Sequence, residues 1–128
     1  ALGNPKEALL SFLQATSIWE RELGDSAPIL AYSLTGTGIA YLAENEPGRA
    51  LLPLERASML RSAKETDPGD RAETSLALAR ALWESRRDMV RARQLAEEAR
   101  GAYAKTSDVK GLAAADSWLR EHQPSRLN

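Results

Sequence analysis

Tyr41-Leu-Ala-Glu-Asn-Glu-Pro-Gly-Arg-Ala-Leu-Leu-Pro-Leu-Glu-Arg-Ala57 reads as the end of one helix, a tight turn and the first half of a second helix. The stretch is one copy of a recurring pattern. Ala8, Ala50 and Ala92 follow one another at intervals of 42 residues, and each is followed by a second alanine, Ala15, Ala57 or Ala99. Between the two alanines stands Phe12, Leu54 or Ala96. Such residues share one face of a helix. A regular period in this range, carried by small residues on one face, predicts helical hairpins stacked side by side. The expected fold class is all-α, with about six helices.

Composition bounds the rest. The chain has 128 residues, of which 43% are hydrophobic, enough for one compact domain or a short stack of repeats. Lys and Arg number 17 against 18 acidic residues, so no strong field draws the chain to nucleic acid or to an anionic lipid surface. Neither partner is expected. The absence of cysteine excludes disulfides, thiolate metal sites and cysteine nucleophiles. No apolar run approaches the roughly 20 residues that span a bilayer. A cytoplasmic location is the expectation.

The chain in order predicts these helices. Asn4 suits an N-cap, Pro5 the first helical position and Glu7 the far side of a capping box, so a first helix runs to about Leu23. Leu9, Phe12, Leu13, Ile18 and Trp19 give it a broad apolar face. Asp25 or Ser26 caps a second helix, with Pro28 in its first turn, that reaches about Glu44. Asn45 or Glu46 opens the third, with Pro47 in the first turn and Leu51, Leu52, Leu54, Met59 and Leu60 inward, and Thr66-Asp-Pro-Gly-Asp70 breaks it. Asp67 or Asp70 caps the fourth, with Leu76, Leu78, Ala79, Leu82 and Trp83. Asp88 caps the fifth, to about Lys105, with Leu95, Ala96, Ala99, Ala102 and Tyr103 inward. Ser107 or Asp108 caps the sixth, through Leu112, Ala115, Trp118 and Leu119, and Pro124 ends it. No segment alternates with period two, so strands are not expected.

With these residues in place, the pattern resembles the tetratricopeptide repeat. Leu34, Gly38 and Tyr41 match the first helix of a repeat and Ala50, Leu54 and Ala57 its second. Leu78, Ala79 and Leu82 pair in the same way with Ala92, Ala96 and Ala99. The resemblance divides the chain into a half repeat over 1–24, repeats over 26–66 and 67–106, a capping helix over 107–123 and a tail over 124–128. It implies a right-handed solenoid of antiparallel hairpins. The 42-residue period exceeds the family's usual 34, the usual first-helix tryptophan is absent, and the prolines are displaced to Pro28 and Pro68. Residues 34–43, 53–57, 78–83 and 118–122 further resemble the C-terminal repeat regions of large bacterial serine/threonine kinases. Such a context implies a catalytic domain upstream. The runner-up context is the regulatory domain of a bacterial transcriptional regulator. Ala1-Leu-Gly-Asn-Pro-Lys-Glu-Ala8 looks like the inter-helix turn at 46–50, so the chain is expected to begin inside a repeat.

Chemistry-bearing residues are few. Gly36-Thr-Gly38 lacks the preceding strand and the third glycine of a phosphate-binding loop and is read as helix packing. His122 is the single histidine, without a second imidazole or a thiol to share a metal. The carboxylate pairs Glu97/Glu98, Glu44/Glu46 and Asp67/Asp70 are read as solvated faces or N-caps. Arg86, Arg87, Arg91, Arg93 and Arg100 are interrupted by Glu84, Asp88, Glu97 and Glu98 and are read as a solvated face. No catalytic residue, cofactor or metal is expected.

What remains is a binding surface. The resemblance implies that the first helix of each hairpin lines an inner groove, here with Tyr32, Thr35, Ile39, Leu42, Glu73, Leu76, Arg80 and Trp83, able to hold a peptide or a partner helix. The Lys/Asn set with which some family members clamp a C-terminal carboxylate is absent. Leu9, Phe12, Leu13 and Trp19 form a second candidate, an uncapped apolar end through which two copies would dimerise.

Overall fold

The computed structural model describes residues 3–63 and 66–124, and its six elements are all α-helices: α1 Pro5–Leu23, α2 Leu30–Ala43, α3 Pro47–Leu60, α4 Pro68–Glu84, α5 Met89–Tyr103 and α6 Val109–Glu121. Each packs on the next in chain order, and α2 also touches α4. No helix among the described residues is long and apolar enough to cross a membrane.

Side chains start most of the helices. Asn4 Oδ1 accepts from the Lys6 N–H, Asp67 from Gly69 and Asp70, Asp88 from Arg91, and Asp108 from Gly111. Each satisfies a backbone donor that the first turn leaves open. Between α2 and α3 the chain reverses through Glu44, Asn45 and Glu46, with Asn45 at φ +61°. Asparagine tolerates that left-handed conformation better than most residues.

Several local expectations need correction. Neither Asp25 nor Ser26 caps α2. The helix starts later, behind Ile29, with no side-chain cap, because Ala27, Pro28 and Ile29 first make a turn of their own. The first turn of α3 has no side-chain cap from Glu46, and α3 ends at Leu60. Ile18 points outward. Leu52 is 71% and Met59 77% exposed, so the inward face of α3 is narrower than its apolar residues suggested.

That narrow face is Ala50, Leu54 and Ala57, all fully buried. The matching face of α5, Ala92, Ala96 and Ala99, is fully buried as well. Small residues let helix axes approach closely while the larger ones fill the gaps. A β-carbon at Gly38 would run into Leu54, so the pair interlocks only because α2 carries glycine there. The largest core cluster joins Leu42, Leu54, Leu78, Leu82, Leu95, Trp118 and Leu119 across α2 to α6. A second gathers Leu30, Ala31, Leu34 and Ala57 under Trp19.

Alternate helices are tied by ion pairs. Arg56 meets Glu20 at 2.8 Å, joining α3 to α1. Arg91 meets Glu55 through two bonds of 2.6 and 2.8 Å, joining α5 to α3. Each tie spans 36 residues of sequence.

Candidate functional site

Four of the eight inner-surface residues border one hollow. Tyr32, Thr35 and Ile39 of α2 and Glu73 of α4 line a groove of about 360 Å³ together with Pro5, Ala8 and Phe12 of α1 and Gly36, Ala40 and Ala43 of α2. Its lining is mostly apolar. Tyr32 stands at the rim, 56% exposed, with the Phe12 ring edge-on at 5.8 Å. Phe12 lies against Gly36, where a β-carbon would collide with the ring.

Several polar groups around the groove already have partners. Thr35 is buried and shares a 2.8 Å hydrogen bond with Thr74 of α4. Arg61, just past the end of α3, is also buried, and its Nη1 donates to Thr74 at 2.9 Å and to the Asp70 carbonyl at 3.0 Å. It reaches the half-exposed carboxylate of Glu73 at 3.3 Å. A buried guanidinium needs such partners, and here they fix the start of α4 against α2. The sequence signal was slight, a single arginine directly after the last apolar residue of its helix, and the sequence reading missed it.

The other four predicted residues lie elsewhere. Leu42 is buried in the main core cluster, and Leu76 packs at the edge of two clusters. Arg80 is half-buried on α4. Trp83 meets Trp118 edge-on at 5.6 Å and the His122 ring at 5.0 Å, while His122 stacks on Trp118 at 4.1 Å. His122 Nδ1 lies 2.6 Å from the Trp118 carbonyl oxygen at the end of α6. Trp83 is thus part of an aromatic lock between α4 and α6.

The four residues of the candidate dimer end meet different surroundings. Phe12 borders the groove, whereas Leu13 lines a different hollow with Leu52 and Pro53. Trp19 covers the cluster of Leu30, Leu34 and Ala57. Leu9 is half-buried.

Three of the five clustered arginines, Arg91, Arg93 and Arg100, make structural ties. Arg93 Nη1 donates to the carbonyls of Leu119 and His122, and Arg100 pairs with Asp116 at 3.7 Å. The hydrogen bonds from Arg91 hold the Glu55 carboxyl below the usual carboxylate range. Beside the acid-lined hollow of Asp67, Asp70, Glu73 and Asp108, burial pushes the Tyr103 phenol up, with Glu73 and Asp108 adding to it. Asp67 and Asp108 there are occupied as helix caps. Among the described residues no group of three or more His, Asp or Glu side chains is placed to hold a metal ion.

Comparison of the chain with family models, curated proteins and solved structures returns no match.

Proposed function

We propose that this chain is a non-catalytic protein-interaction module of the tetratricopeptide type, a short right-handed solenoid that binds a protein or peptide partner. One observation carries the reading. An apolar groove, rimmed by exposed Tyr32 and half-exposed Glu73, opens beside helices whose small faces are elsewhere fully packed. The 42-residue recurrence, the Gly38–Leu54 interlock and the ion pairs that tie α1 to α3 and α3 to α5 support the solenoid. The sequence resemblance makes the parent protein a bacterial signalling protein of the cytoplasm, a serine/threonine kinase first and a transcriptional regulator second.

The test is affinity capture from lysate of the source cells with the wild-type chain and Tyr32→Ala, circular dichroism being matched. A protein held by the wild type and lost from the variant supports the module. Equal capture by both removes the groove from the account. Self-association is the second reading, favoured by Leu10 and Leu13, both exposed on α1. It requires a mass in solution that rises with concentration.

A further inference from the structure

We propose that Arg61 is the positioning residue of the groove: it sets where α4 lies against α2, at a joint where an aromatic side chain is enough for folding. This rests on the interaction reading and names what shapes its site. The reasoning starts from the recurrence. Trp19, Arg61 and Tyr103 follow one another at the same interval of 42 residues as the alanines, near the ends of α1, α3 and α5. Ala27, Gly69 and Gly111 do so near the starts of the helices that follow.

Two of the three joints are apolar. Trp19 and Ala27 pack on the cluster of Leu30, Ala31, Leu34 and Ala57. Tyr103 clusters with Ala72, Ala99 and Ala115, and a β-carbon at Gly111 would run into its ring. Contact of this kind holds helices together without fixing a direction. The middle joint is different. Arg61 is as buried as Tyr103, each being 8% exposed, yet a β-carbon at Gly69 would meet Asp67 and Thr106 and not the arginine.

The guanidinium turns instead toward α2 and α4. Its Nη1 lies 2.9 Å from Thr74 Oγ1, 3.0 Å from the Asp70 carbonyl oxygen and 3.3 Å from the Glu73 carboxylate. Thr74 Oγ1 is in turn 2.8 Å from Thr35 Oγ1. Thr35 and Glu73 both line the groove, one from α2 and the other from α4. Hydrogen bonds weaken steeply with angle, so the shared donor admits a narrower range of placements for α4 than a packed ring would. A buried ion pair is commonly no more stabilising than apolar side chains of similar volume. What the arginine adds at this joint is register.

The chain has no cysteine, so a pair can be introduced for spin labels. Ile29 and Asp70 border the same hollow as Arg61, and the bond from Arg61 to residue 70 goes to a backbone carbonyl that a cysteine keeps. In Ile29→Cys/Asp70→Cys the distance between the labels is measured by double electron–electron resonance with Arg61 kept, with Arg61→Tyr and with Thr74→Val, beside urea denaturation of each. Arg61→Tyr is expected to leave the urea midpoint unchanged and to widen the distance distribution about twofold or more. Thr74→Val, which removes the nearest acceptor and keeps the arginine, is expected to widen it less. An unchanged distribution in either variant overturns the proposal. So does a midpoint that Arg61→Tyr lowers as far as Arg61→Ala, or a failure of Arg61→Tyr to fold, since Arg61 is then a stabiliser like Trp19 and Tyr103. Both readouts come from the chain alone, so their failure is separate from a failure of partner capture.

Discussion

Helices α1 and α3 carry the same arrangement of alanine, large residue and alanine, yet the two faces end in different surroundings. On α3 the central Leu54 is sealed between α2 and α4, whereas on α1 the central Phe12 is sealed on one flank and borders a groove on the other. The motif therefore specifies a packing face, and the neighbours decide how much of it is spent on stability. A face that is half covered contributes less to folding and leaves apolar area for a partner.

The contrast can be broken by truncation. Leu54→Ala is expected to cost about 2–5 kcal/mol, because it opens a cavity in a closed cluster. Phe12→Ala should cost on the order of 1–2 kcal/mol, despite the larger side chain, because the ring is only partly enclosed. Urea denaturation of both variants checks the order. A larger loss for Phe12→Ala would mean that α1 is as firmly closed as α3.

Overpacking sharpens the same contrast. Gly38→Leu should destabilise by about 1–3 kcal/mol, and Leu54→Ala in the same chain should recover part of it, since the two side chains compete for one space. Strict additivity in the double variant would show that the pair does not interlock. Arg61→Ala, at the junction of α2, α3 and α4, should cost about 1–3 kcal/mol by removing the charged donor shared by Thr74, Asp70 and Glu73. A loss well under that range would make the network incidental.

The smallest effect expected is at the Arg91–Glu55 tie. The depressed Glu55 carboxyl adds stability at neutral pH that is lost as pH falls through its lowered value. Both side chains are more than a third exposed, so solvent limits the tie to about 0.2–1 kcal/mol. Glu55→Gln should flatten that part of the acid dependence in denaturation midpoints measured at neutral and acid pH. An unchanged acid slope would remove the tie from the stability of the α3–α5 pair.

These contrasts also explain what could be read in advance. Six helices and the caps at Asn4 and Asp88 were legible, and those of α4 and α6 to within a pair of residues, because capping chemistry is local and the alanine period repeats. The uncapped start of α2 was not, since Pro28 favours a turn that competes with the Asp25 and Ser26 caps. The repeat resemblance put Tyr32, Ile39 and Glu73 on an inner surface, and all three line the groove. Thr35 and Leu42 share that register but are buried, because α4 lies close against α2 and takes their side of the helix. Arg61 was invisible, since its partners come from a helix that begins after a chain reversal. The coupling of Trp83 to Trp118 and His122 depended equally on long-range packing.

The central claim is that the groove between α1 and α2 takes a protein partner, and hydrogen exchange with a captured partner bound tests it most directly. The account predicts slower exchange of the amides over 8–15 and 36–43, with those over 92–99 unchanged. Protection confined to α5 and α6, or spread evenly along the chain, would contradict it.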